Sequence, residues 1–165
     1  MDSLERILAF GGKSKSYSID EKRNLAQQKN SLYVEMIQDM SPKDLFEGVD
    51  DLLRRLMRKN VKLAIGSASE NVHFVLNCLG IEDFFDYVVK AGNIQHSKPF
   101  PDIFLDAAMN LNLSPEKCVG IEDSEAGIEA ILAARMYAIG IGDPVILHRA
   151  HIVYASTKDI RIDRL

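Results

Sequence analysis

The chain has 165 residues, 47% of them hydrophobic and 27% charged, which excludes a disordered or collagen-like chain and leaves enough sequence for a core that needs no staples. Twenty Lys and Arg against 24 Asp and Glu give a net charge of −4, so neither nucleic acid nor an anionic membrane is expected as a partner. No apolar run approaches the ~20 residues of a membrane span, and Met1-Asp2-Ser3-Leu4-Glu5-Arg6 has no basic region or apolar stretch of a signal peptide. Cys78 and Cys118 sit singly in apolar sequence and read as buried, reduced thiols, which makes the cytoplasm the expected compartment.

The first 60 residues read as helical. Ser18-Ile19-Asp20-Glu21 is a capping box that opens a helix with Leu25, Leu32, Met36 and Met40 on a helical period. Ser41-Pro42-Lys43-Asp44 starts a short turn or helix, Ser as N-cap and Pro first. Val49, Leu52, Leu53, Leu56 and Met57 then stripe a helix that ends in Arg54, Arg55, Arg58 and Lys59, where positive charge complements the helix dipole.

From Val61 the pattern becomes strand, loop, helix, repeated. Strands are predicted over 61–66, 87–90, 117–121, 137–141 and, less distinctly, 151–155. Helices are predicted over 71–79, ended by Gly80, and over 102–110 and 125–135. This alternation predicts an α/β fold, a doubly wound parallel sheet with right-handed crossovers. The expected division is a helical unit over 1–44 and an α/β unit over 45–165.

Ligands of open α/β sheets bind beyond the carboxyl ends of the strands. Three polar clusters fall there. Gly66-Ser67-Ala68-Ser69 offers hydroxyls and amides to an anion, although Ser as a plain N-cap also accounts for it. Lys98, before Pro99 in Ser97-Lys98-Pro99-Phe100-Pro101-Asp102, stands ahead of a helix N-terminus, where it suits an anion or is a solvated loop lysine. Glu122-Asp123 ends an apolar strand, where two adjacent acids suit a hard cation such as Mg²⁺; one of them alone would suffice to cap the next helix. Together the three describe a phosphate-plus-magnesium site. His73, His96, His148 and His151 show no ligand spacing and read as structural or surface residues.

With Asp2-Ser3-Leu4, Gln28-Lys29-Asn30, Ser67-Ala68-Ser69, Lys98-Pro99 followed by Pro101-Asp102-Ile103-Phe104, and Ile121-Glu122-Asp123-Ser124 in this order, the sequence resembles the haloacid dehalogenase-like phosphotransferases, and among them the sugar-phosphate mutases. The resemblance implies that Ser67 hydrogen-bonds the transferring phosphoryl group, that Lys98 neutralises it, and that Glu122 and Asp123 hold Mg²⁺. It places Ser3, Lys29 and Asn30 in a partial helical cap that binds the sugar phosphate, and gives the distal phosphate to Ala68, Ser69 and Asn71. The implied reaction moves phosphate between C1 and C6 of β-glucose, with β-glucose 1,6-bisphosphate as activator and intermediate. A sugar-phosphate phosphatase and a noncatalytic, domain-swapped fragment are the alternatives, and Glu70, which stands where such mutases commonly carry a basic residue, leans toward the phosphatase.

Members of the family also begin with an apolar strand ending in Asp-x-Asp, whose first carboxylate attacks phosphorus. No Asp-x-Asp occurs in this sequence. Asp50-Asp51 falls on a helix, and Asp159 and Asp163 follow no suitable strand. An N-terminally truncated form, a mis-assigned start or a gene remnant is the expectation, with a chain inactive on its own. The resemblance puts that strand between those ending at Ser67 and Glu122, so those two are expected to close up, to bury unpaired backbone, or to accept a strand in an exchanged homodimer.

Overall fold

A computed structural model describes residues 2–13 and 15–162. The chain parts into two compact units, Met1–Met40 and Ser41–Leu165.

The first unit pairs α1 (Asp2–Phe10) with α2 (Ile19–Ile37). The capping box forms as the sequence predicts. The Ser18 hydroxyl accepts from the Glu21 N–H at 3.3 Å, and the Glu21 carboxylate accepts from the Ser18 N–H at 2.7 Å. Lys22 of α2 donates to Glu5 of α1 at 3.0 Å, and Leu4, Leu8 and Ile37 are buried. The helical period of α2 is right, but Leu32 and Met36 remain 62% and 82% exposed. Within this unit each helix has one partner, so only one stripe of each can be covered.

The second unit opens with a 3₁₀ turn at Pro42–Asp44, whose Asp44 carboxylate accepts from the Ser41 N–H at 2.8 Å. The elements α3 (Val49–Arg58), β1 (Ala64–Ile65), α4 (Val72–Cys78), β2 (Tyr87–Val88), α5 (Asp102–Asn110), β3 (Val119–Glu122), α6 (Glu125–Ala133), β4 (Tyr137–Ile141) and β5 (Ile152–Tyr154) follow. The four helices α3 to α6 share one terminator, in which a left-handed residue lets the N–H beyond it reach back to the last turn. The pairs are Val61 to Leu56 (3.1 Å), Ile81 to Leu76 (3.0 Å), Leu113 to Ala108 (3.0 Å) and Met136 to Ile131 (3.1 Å). The left-handed residues are Asn60, Gly80, Asn112 and Arg135. Only Gly80 is legible from its type; Arg135 adopts φ 61° because the helix end demands it.

All strand pairs are parallel, as expected, but they form two sheets, β1-β2 and β3-β4-β5. Among the described residues neither β1 nor β3 has a second neighbour. The Tyr137 N–H donates to the Cys118 carbonyl at 3.1 Å, so in β3 the amides of Val119 and Ile121 alternate onto the edge away from β4. Their residues are 41% and 42% exposed, whereas Ala138 and Ile139 of β4 are fully buried. The strands therefore neither close up nor bury an unpaired edge. The predicted burial of the 61–66 run is corrected in the same sense: Val61 is exposed and Leu63 to Ile65 are half-buried, because β1 pairs on one side.

The larger core joins Ile103, Phe104 and Ala108 of α5 to Ile128 and Ile131 of α6, with Val89, Ala138 and Leu147. Gly120 lets α6 lie directly on β3, since a Cβ there would stand 2.5 Å from Ile131. A second cluster centres on Leu53, Leu76 and Ile81. Cys78 and Cys118 are half-buried rather than buried; burial, with the nearby Glu116 charge, pushes the Cys118 thiol up and keeps it protonated. No described helix is long and apolar enough to cross a membrane.

Candidate functional site

The carboxyl end of β1 runs into the 66–71 loop, which folds on its own hydroxyls. The Ser67 hydroxyl accepts from the Ser69 N–H at 3.2 Å, and the Ser69 hydroxyl accepts from the Asn71 N–H at 3.2 Å. Such local bonds hold a turn open instead of letting a helix start early. Ser67 is half-buried, while Ala68, Ser69 and Glu70 face solvent.

At the carboxyl end of β3, Ser124 caps α6 by accepting from the Gly127 N–H at 3.1 Å and donates to Glu122 at 3.1 Å. Glu122 lies so close over the first turn of α6 that a Cβ on Gly127 would collide with its carboxylate. Lys98 reaches this carboxylate from the 96–101 loop, across a cis Lys98-Pro99 peptide, and pairs with Glu122. Its ammonium also lies 5.3 Å above the Phe104 ring, within cation–π range. Gly66 approaches the edge of that same ring, where a Cβ would be 3.9 Å away. Phe104 thus lies under the Lys98 ammonium and beside Gly66, where the serine loop begins.

Lys98 and Glu122 pair beside the first turn of α6, Ser67 follows β1 as a half-buried residue, and Asp123 follows Glu122 as an exposed residue in the bend before α6. Lys29 and Asn30 occupy an exposed turn of α2 in the other unit, and the Ser3 side chain lies outside the described residues. Among the described residues no group of three or more His, Cys, Asp or Glu side chains is placed to hold a metal ion. The hard oxygens of Glu122 and Asp123 match the one or two carboxylates through which Mg²⁺ is usually held beside phosphate and water. Of the D-x-D-like positions, Asp50 pairs with Arg54 and Asp51 with Arg55 along α3, each at 2.9 Å.

Sequence reasoning missed four contributors. Phe104 reads as an ordinary core residue of a helix. Ser124 is legible as an N-cap, but its second bond, to Glu122, depends on the fold. His96 and Asp102 join across the lysine loop at 3.0 Å, and His96 reads as a surface histidine. The Asp102 carboxyl is raised by desolvation, but the His96 ring and backbone N–H outweigh this and hold it below the ordinary aspartate range.

A Rossmann-like α/β unit with serine, lysine and carboxylate at successive strand ends defines a class of phosphoryl-handling proteins. The chain belongs to the haloacid dehalogenase-like hydrolases, whose family model matches residues 9–135. It is 40% identical to the β-phosphoglucomutase of Bacillus subtilis over 164 residues, 99% of this chain and 73% of that protein. It is 38% identical to the fructose-1-phosphate phosphatase YqaB of Escherichia coli over 84 residues, 51% of this chain and 45% of that one. The crystal structure of β-phosphoglucomutase from Clostridium difficile superposes with a TM-score of 0.95 at 42% identity, covering 99% of this chain and 73% of its own.

Proposed function

We propose that the chain carries the phosphoryl-binding site of a β-phosphoglucomutase-type phosphotransferase that interconverts β-glucose 1-phosphate and glucose 6-phosphate. The observation that carries the reading is the Lys98–Glu122 pair on Phe104, beside the Ser67 loop. A phosphoryl group there would take hydrogen bonds from the Ser67 hydroxyl and charge from Lys98, whose ammonium would exchange a carboxylate for phosphate oxygen. Glu122 and Asp123 would hold Mg²⁺, which supplies charge neutralisation at the phosphoryl oxygens when bound. Ala68, Ser69 and Asn71 are assigned to a distal phosphate, and Ser3, Lys29 and Asn30 to the sugar phosphate, with β-glucose 1,6-bisphosphate as activator.

With no Asp-x-Asp in its sequence, the chain alone has no carboxylate nucleophile to take the phosphoryl group, and we propose that it does not turn over by itself. The open edges of β1 and β3 are suited to an added strand, here assigned to an exchanged homodimer in the cytoplasm. Titration with β-glucose 1-phosphate and Mg²⁺ should shift the amide signals of residues 67, 98, 122 and 123. A response confined to other residues refutes the site. Formation of glucose 6-phosphate at an enzymatic rate, with the bisphosphate present, refutes inactivity. A monodisperse monomer in light scattering refutes the exchanged dimer.

The phosphatase reading has one observation of its own. Glu70 is exposed in the serine loop and would repel a second phosphate at the place assigned to it. Release of inorganic phosphate from sugar phosphates, without glucose 6-phosphate, would decide for that reading.

A further inference from the structure

The loop that carries Lys98 is closed at its base by one carboxylate oxygen. The His96 backbone N–H donates to Asp102 Oδ1 at 3.1 Å, and the His96 ring Nδ1 meets the same oxygen at 3.0 Å. The Phe100 ring leans on the imidazole with centroids 4.9 Å apart, and the Phe100 N–H donates to the Ser97 carbonyl at 3.1 Å. Asp102 is the first residue of α5, which also provides Phe104, the ring beneath the Lys98 ammonium. The residues flanking the lysine are therefore tied to the helix that carries its floor.

We propose that His96 is a positioning residue for Lys98: its paired bonds to Asp102 close residues 96–102 into a ring that presents the ammonium to the phosphoryl site at the end of β3. This deepens the reading of Lys98 as a phosphoryl-binding lysine and rests on it for the ligand, but not for the mechanics. A lysine stem has many rotamers, and fixing its backbone removes much of the search that would otherwise oppose binding. An ionised carboxylate only accepts hydrogen bonds, so the neutral imidazole must carry its proton on Nδ1. The ring itself is 56% exposed, so its truncation opens no cavity in the core and leaves the backbone N–H bond in place.

Three measurements on the full chain test this. Long-range ¹H–¹⁵N spectra at pH 8 should place the neutral His96 proton on Nδ1; a proton on Nε2 overturns the proposal. In His96→Ala the order parameter of the Lys98 amide should fall from about 0.85 to below about 0.6. His96→Asn, whose amide nitrogen can take the place of Nδ1, should restore it, while an unchanged value in the alanine variant overturns the proposal. Affinity for inorganic phosphate should weaken about tenfold in His96→Ala, equivalent to about 1.4 kcal/mol, and recover in His96→Asn; equal affinities overturn it. If the relaxation result holds and the unmodified chain binds no phosphate, the phosphoryl reading of Lys98 fails and the positioning role stands.

Discussion

Replacing Lys98 by Met removes the cation and keeps most of the apolar stem. Glu122 is then left with a side chain only 10% exposed, and Ser124 as its remaining described hydrogen-bond donor. Removing one partner of a fully buried pair costs about 3–5 kcal/mol. The lysine is itself 28% exposed, and water reaching the site screens the orphaned charge, so about 2 kcal/mol is expected here. For a chain of this size that is a fall in melting temperature of about 4–8 °C. Glu122→Gln keeps an acceptor oxygen for Lys98 and turns an amide NH2 toward the Ser124 hydroxyl, which can accept from it, and should cost about half as much, about 1 kcal/mol. Since the orphaned carboxylate is absent from the double variant, it should lose about 2 kcal/mol and not the sum, a coupling of about 1 kcal/mol. Calorimetric melting of the four proteins reads the cycle. A Lys98→Met variant as stable as the parent, or losses that add within about 0.3 kcal/mol, would show that the pair does not organise this site.

Gly127→Ala should lack the gain of about 0.5–1 kcal/mol that Ala usually brings to a helix interior, because its Cβ displaces the Glu122 carboxylate; the gain should return in a Glu122→Ala background, and a more stable single variant refutes the contact. Ile131, fully buried between α6 and β3, should cost about 2–5 kcal/mol when cut to Ala, read from the urea midpoint at unchanged slope. The Ser18 backbone N–H and hydroxyl hold the Glu21 carboxyl below its ordinary value of 4.5. The cap is therefore fully present above that value and lost as pH falls through the lowered one. The protection of the Ser18 and Glu21 amides, measured against the intrinsic exchange rate at each pH, should fall over that acid range, and protection unchanged by acid refutes the reciprocal cap.

Elements set by local grammar were legible in advance. The Ser18 capping box, the Gly80 terminator, the α5 helix at Asp102–Asn110 and the β4 strand at Tyr137–Ile141 stand where periodicity and capping chemistry put them. Ser67 follows β1 and Glu122 is the last residue of β3, as the alternation of strands and helices predicts, while Lys98 lies in the loop that leads from β2 to α5. Strand burial was less legible, since an apolar run is the same whether one neighbour covers it or two. Leu32 and Met36 make the same point in α2: a helical period states which face is apolar, but not whether anything lies against it.

Sequence alone thus determined the α/β grammar and the residue types that follow the strands, which depend on spacing along the chain, and its motifs carried the resemblance to the family. Tertiary structure decided what no spacing contains. The sheet stands in two pieces, with Val119 and Ile121 at an open edge. Phe104 lies under the ammonium of Lys98, Glu122 is wedged over Gly127, and His96 grips Asp102. Each of these joins groups from different elements or across a loop, and their energies turn on ångström-scale approach and on exclusion of water, which only the folded chain fixes.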